Sequence, residues 1–122
     1  MKILAVDDSK TVHLFIKSLF AGTSHEVLKA MDGAEAVELV NNDSAIDLVL
    51  LDWEMPVKDG VTTLAEIRDN GNAVPIIMVT SKNDASNIIK ALEKGANEYV
   101  MKPFTKEVLF EKISMVLGKE VA

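Results

Sequence analysis

Short apolar runs alternate with longer amphipathic stretches along the whole of this chain. Ile3-Leu4-Ala5-Val6 and Leu48-Val49-Leu50-Leu51 are continuously apolar, and so is Val74–Val79 apart from Pro75, which suits a strand start. Such runs predict strands covered on both faces. His25–Ala30 mixes polar and apolar positions and predicts an edge strand, and Glu98-Tyr99-Val100-Met101 predicts a short fifth strand. The intervening stretches have helical spacing. Ser9 is the expected N-cap of a first helix whose stripe is Val12, Phe15, Ile16, Leu19 and Phe20, with Gly22 as its C-cap. Asp32 and Glu35 read as a capping box for a helix through Val37 and Val40 that ends near Asn41-Asn42. A third helix turns Val61, Leu64 and Ala65 inward and stops by Gly71. A fourth does the same with Ala85, Ile88, Ile89 and Leu92 and stops at Gly95. A last carries Leu109, Ile113, Val116 and Leu117 on one face. The pattern is five strand–helix units. It predicts an α/β fold, a parallel five-stranded sheet with helices on both faces and right-handed crossovers. Five units are too few for an eightfold barrel, so the expected architecture is a (βα)5 three-layer sandwich forming one domain over residues 1–122.

In a parallel sheet every strand tip lies along one edge, where open α/β folds place their ligand sites. The tips here carry Asp7 and Asp8 after the first strand, Asp52 after the third, Thr80 after the fourth and Lys102 after the fifth. Three clustered carboxylates repel, and each raises its neighbours' pKa. A hard divalent cation removes the conflict, and oxygen ligands without His or Cys suit Mg2+ or Mn2+. Lys102 and Thr80 are then placed to meet a tetrahedral anion. The set reads as phosphoryl transfer, with Asp52 as the nucleophile that forms an aspartyl phosphate. No separate base is needed, since a carboxylate is ionised at neutral pH.

Composition narrows the partners. The chain has 122 residues and no cysteine, which excludes thiolate chemistry and Cys-based metal sites, and its net charge of −6 argues against non-specific nucleic-acid binding by this domain alone. No apolar run approaches the ~20 residues that span a bilayer. The start of the chain turns acidic too soon for a signal peptide, so a cytoplasmic location and no membrane partner are expected. His13 is expected on the helix surface and His25 at the start of the edge strand, neither with a chemical role. Trp53 beside the acceptor reads as surface cover that could report fluorescence changes.

The motifs Val6-Asp7-Asp8-Ser9, Leu51–Gly60 (LDWEMPVKDG), Val79-Thr80-Ser81, Gly95-Ala96 and Tyr99–Phe104 (YVMKPF) together resemble those of response-regulator receiver domains, in the stand-alone CheY-like form. The resemblance covers essentially the whole chain. It implies a flavodoxin-like fold with strand order 2-1-3-4-5, and a two-component phosphorelay function in which a histidine kinase or a small donor such as acetyl phosphate phosphorylates Asp52. By the same resemblance Asp8 and Asp52 ligate Mg2+ directly, Asp7 does so mainly through water, and the main-chain carbonyl of Glu54 completes the protein ligands. Lys102 meets the phosphoryl group, Thr80 and Tyr99 form the switch pair, and Lys102-Pro103 is a cis peptide. The implied output surface is the fourth helix, fifth strand and fifth helix, acting on a partner such as the flagellar motor in chemotaxis, with the protein a monomer and no enzyme beyond its own phosphoryl transfer and autodephosphorylation. Glu54 and Lys82 flank the path of an attacking water, carry opposite charge and are expected to pair across the site mouth and slow autodephosphorylation. Two alternatives stand beside this. One is a receiver excised from a larger regulator or hybrid kinase. The other is a phosphatase of the haloacid dehalogenase type, but Glu54 stands where that class has its second Asp, and no cap insertion is present.

Overall fold

The computed structural model describes residues 1–82 and 84–121. Strands β1 (Lys2–Val6), β2 (Glu26–Ala30), β3 (Leu48–Asp52), β4 (Ile76–Thr80) and β5 (Glu98–Met101) alternate with helices α1 (Lys10–Leu19), α2 (Gly33–Asn42), α3 (Gly60–Asp69), α4 (Ala85–Glu93) and α5 (Lys106–Leu117). All neighbouring strands run parallel in the order β2-β1-β3-β4-β5, as expected from the alternation and the resemblance. The three central strands are β1, β3 and β4. They bury nearly every residue on both faces, which is why their sequences lack polar alternation.

The pleat sends successive side chains to opposite faces. Leu4, Val6, Val49, Leu51, Ile76 and Met78 point to a core completed by Ala36, Val37 and Val40 of α2, Val61, Leu64 and Ile67 of α3, and Ala91 of α4. Ile3, Ala5, Leu48, Leu50, Ile77 and Val79 point the other way, against Ile16 and Leu19 of α1 and Leu109 and Ile113 of α5. Side-chain caps start the helices. Ser9 accepts from Val12 N at 3.3 Å, Asp32 from Glu35 N at 2.8 Å, and Asp59 from Thr62 N at 2.8 Å.

Several local expectations are corrected. Gly22 does not cap α1: the helix ends at Leu19 with Phe20 as its C-cap, and Gly22 takes its positive φ in the turn beyond. Helix α1 is rotated from the expected stripe, burying His13 with Ile16 and Leu19 while Phe15 is half exposed. In α4 the expected inward residues Ile89 and Leu92 are largely exposed, and Ala91 is the buried contact. In α3 Thr63 and Ile67 are buried, and Ala65 is only partly so. Trp53 is buried in the core beneath α3 and not a surface cover.

The loop after β3 carries strain. Lys58 N donates to Pro56 O at 2.7 Å across Val57, whose φ is +68°. An i to i+2 bond around a positive φ is the rarer, strained form of γ-turn, and a β-branched residue there is an outlier. The Val57 side chain is 83% exposed, so glycine would lose no packing. Val57→Gly is therefore expected to stabilise the protein by about 1 kcal/mol, read as a higher urea midpoint at unchanged m-value. A lower midpoint would show that the backbone is not strained there.

Candidate functional site

Three of the tip residues, Asp7, Asp52 and Lys102, meet because strand parity sends their side chains to one side. Asp52 pairs in register with Val79, and Asp7 and Lys102 continue the parity of Ala5 and Val100, all on the sheet face covered by α1 and α5. The third strand is held in place past its end. Trp53 N donates to Val79 O at 3.1 Å, and Gly60 N donates to Trp53 O at 2.8 Å. Gly60 packs so closely that a Cβ there would collide with the Asp52 carbonyl oxygen, so the start of α3 and the acceptor's backbone fix each other.

Asp7, Asp8 and Asp52 converge, each offering an oxygen within 4.8 Å of the others. Asp7 and Asp52 are buried and Asp8 is exposed. Lys102 Nζ bridges the two buried acids, donating to Asp7 Oδ2 and to Asp52 Oδ1 at 2.9 Å each. One ammonium thus faces three carboxylates. Burial pushes the pKa of Asp52 up. The Lys102 hydrogen bond opposes that, the charges of Asp7 and Asp8 add to it, and the net result lies above the ordinary 3.8. For Lys102, burial acts downward, but the hydrogen bonds to Asp52 and Asp7 outweigh it and hold the ammonium above the ordinary lysine value. An oxygen-only donor set with an excess of negative charge fits a hard divalent cation and does not fit zinc or copper.

Thr80 and Tyr99 belong to the opposite sheet face. Tyr99 is in register with Met78, and the partner of Thr80 is Met101. Parity therefore puts both side chains on the α2–α3–α4 side, one step apart along the strands. Thr80 is buried, its Oγ1 accepts from Lys82 N at 2.9 Å, and its carbonyl accepts from Lys102 N at 2.8 Å. The Tyr99 ring is half-buried against the core, with Lys112 Nζ 4.8 Å from its centroid. Thr80 thus sits at the rim, whereas Tyr99 stands back from the acids. The Lys102-Pro103 peptide is cis. At the mouth, Lys82 Nζ lies 4.0 Å from Glu54 Oε1, the outer limit of an ion pair, and Ser81 Oγ is 3.4 Å from the same oxygen.

His13 overturns its expected place on the helix surface. It is buried, and Nε2 donates to the Asp7 main-chain carbonyl at 2.7 Å. With Ser9 N donating to Asp7 Oδ1 at 2.9 Å, it holds the acidic turn from the helix side. Its signal in the sequence, a polar residue six positions after Asp7 beside an apolar stripe, is too common to single out. His13→Ala is expected to cost about 1–3 kcal/mol, because it strands a buried carbonyl, measured by urea unfolding. A loss well under 1 kcal/mol would show that water takes over the bond. His25, by contrast, precedes β2, and its Nδ1 pairs with the N-terminal amine of Met1 at 2.8 Å.

The family model described as "Response regulator receiver domain" matches residues 3–114. The chemotaxis protein CheY1 of Helicobacter pylori (strain ATCC 700392 / 26695) is 38% identical over 121 residues, covering 97% of this chain and 98% of the relative. A chemotaxis protein CheY homolog of Campylobacter jejuni (strain 81-176) is 39% identical, covering 97% and 93%. Among solved structures, Vibrio cholerae chemotaxis protein CheY4 superposes with a TM-score of 0.86 at 28% identity over 94% of this chain and 97% of that one.

Proposed function

The chain belongs to the response regulator receiver family, and on that footing we propose that Asp52 is the phosphoacceptor of a two-component phosphorelay. The observation that carries this reading is the Lys102 ammonium shared at 2.9 Å between Asp52 and Asp7 at the strand tips. An Asp52 carboxylate oxygen attacks the phosphorus of a histidine kinase's phosphohistidine or of acetyl phosphate. The P–N or P–O bond breaks as the new O–P bond forms, and the electron pair leaves with the donor. Asp7, Asp8, Asp52 and the main-chain carbonyl of Glu54 would hold Mg2+ or Mn2+, which when bound would supply positive charge for the phosphoryl oxygens. Lys102 then moves its donation from the carboxylates to a phosphoryl oxygen, and Thr80 Oγ1 donates to another. The Thr80 hydroxyl is drawn toward Asp52 and vacates space on its own sheet face, into which the Tyr99 ring turns. That shift biases a two-state surface made of α4, β5 and α5 toward an output partner.

The whole chain, residues 1–122, acts as one receiver domain, and it is no enzyme beyond forming and hydrolysing its own acyl phosphate. We read the chain as a cytoplasmic monomer that uses protein partners and not nucleic acid; among the described residues no helix is long and apolar enough to cross a membrane. The relatives named as chemotaxis proteins favour a chemotaxis pathway, and the flagellar motor is the output we propose. The test is incubation with acetyl phosphate and Mg2+. Stoichiometric, slowly lost labelling of Asp52 is expected, whereas sustained turnover of a phosphate monoester would point to a phosphatase.

Glu54 and Lys82 bear on how long the label lasts. Their side chains narrow the mouth through which an in-line water must arrive. Glu54→Ala and Lys82→Ala are each expected to shorten the acyl-phosphate half-life severalfold, followed as release of inorganic phosphate. Unchanged half-lives in both variants would remove the pair from the account of dephosphorylation.

A further inference from the structure

A cavity of about 500 Å³ lies between α1 and the outer strand β2. Leu14 and Val27 give it an apolar lining, and Leu14 is 71% exposed. Lys10, Lys17 and Lys29 stand around it, and among the described residues none of the three enters an ion pair. This cationic rim belongs to a chain whose net charge is −6. Parity explains the grouping. Val27 and Lys29 are register partners of Ile3 and Ala5, so both side chains stand on the α1 side of the sheet.

Strand β2 is also an open edge, paired with β1 alone. In a parallel ladder alternate residues bond to one neighbour. Glu26 N donates to Met1 O and Ala30 O accepts from Asp7 N, so Glu26, Leu28 and Ala30 face β1. The main-chain groups of Val27 and Lys29 are left facing outward. A free edge is a template for a further strand.

We propose that the β2 edge and the α1 groove beside it bind an acidic, extended segment of a partner protein. The segment pairs with the Val27 and Lys29 main chain, sets an apolar side chain against Leu14, and brings carboxylates to Lys10, Lys17 and Lys29. A second copy of this chain is the poorer occupant, because edge-to-edge pairing would bring the lysines of each copy together. A nucleic acid would gain the same lysines but would meet an apolar floor and the field of an acidic protein. The surface is separate from the α4–β5–α5 face.

The experiment titrates the 15N-labelled full chain with a capped peptide of about eight residues alternating glutamate and valine. Amide shifts confined to residues 10–17 and 26–31 are expected, with slowed hydrogen exchange at Val27 and Lys29. The triple variant Lys10→Glu, Lys17→Glu, Lys29→Glu is expected to bind roughly tenfold more weakly, as the loss of three exposed charge pairs implies. Its amide spectrum and thermal midpoint serve as the check that it folds. Leu14→Ser is expected to weaken binding without altering the charge. Each of the following would overturn the proposal: no shifts at millimolar peptide, equal binding of a peptide with lysine in place of glutamate, unchanged exchange at both edge amides, or shifts on α4, β5 and α5 instead. Concentration-dependent self-association through β2, or preference for an oligonucleotide over the peptide, would overturn it as well.

Discussion

Replacing Asp52 with asparagine is expected to abolish labelling by acetyl phosphate, leaving below about 1% of the wild-type level, because the amide cannot form an acyl phosphate. The same substitution is expected to raise the thermal midpoint of the metal-free protein. Asp52 is buried beside two other acids, and the Lys102 ammonium does not fully offset the cost of its charge. Its folded pKa therefore lies above the unfolded value, which means the folded state binds the proton more tightly. The contribution to stability is fully present below the ordinary carboxylate value and is lost as pH rises through the raised folded pKa. At neutral pH the ionised group is a liability that asparagine removes. The wild-type midpoint should fall with rising pH across that window, and the Asp52→Asn curve should be flatter there. Saturating Mg2+ should narrow the gap between the two proteins, since cation binding stabilises the folded wild type. A variant less stable than wild type at every pH would mean that the Lys102 bridge outweighs the burial cost.

Lys102→Ala is expected to have the second-largest effect, because one ammonium serves two buried carboxylates. Removing it leaves Asp7 and Asp52 facing each other without a counter-charge. Loss of a fully buried partner costs roughly 3–5 kcal/mol. Lys102 keeps 27% of its side chain exposed, so solvent screening reduces the expected loss to roughly 1–3 kcal/mol in the absence of Mg2+. In the Asp52→Asn background the same substitution should cost less, and that difference measures the coupling between the two residues. Phosphorylation should slow by roughly two orders of magnitude, the usual consequence of removing one preorganised donor from developing charge. Lys102→Arg should restore more of the stability than of the rate, since guanidinium keeps the charge but not the point geometry. Equal losses in both backgrounds would show that Lys102 acts through packing and not through Asp52.

The strand tips were legible because strands buried on both faces leave continuous apolar runs, and the first polar residue after each run marks the rim. That reasoning located Asp7, Asp52, Thr80 and Lys102. It could not show that Lys102 already spans Asp7 and Asp52, because the reach of a lysine over 95 and 50 residues of chain depends on the order of the strands. Trp53 was misplaced for a related reason. Its main chain continues the pairing with β4 for one residue beyond Asp52, so alternation turns the indole into the core. His13 and the α1 stripe show the limit of helical periodicity. Ile16, Leu19 and Phe20 are buried as the spacing predicts, but adjacent residues lie about 100° apart around the helix, and a turn smaller than that is enough to bury His13 and leave Phe15 half exposed. In α4 the apolar residues are real, but the helix meets the sheet mainly through Ala91, which leaves Ile89 and Leu92 on the outer surface. Spacing alone does not distinguish a face that packs inward from one held open.

The most direct measurement is to phosphorylate the full chain with acetyl phosphate and Mg2+, reduce it with borohydride, and sequence the peptides by mass spectrometry. An aspartyl phosphate is reduced to homoserine, and homoserine at position 52 alone is the predicted result. Homoserine at Asp7 or Asp8, or a label that resists borohydride and so sits on a hydroxyl, would contradict Asp52 as the phosphoacceptor.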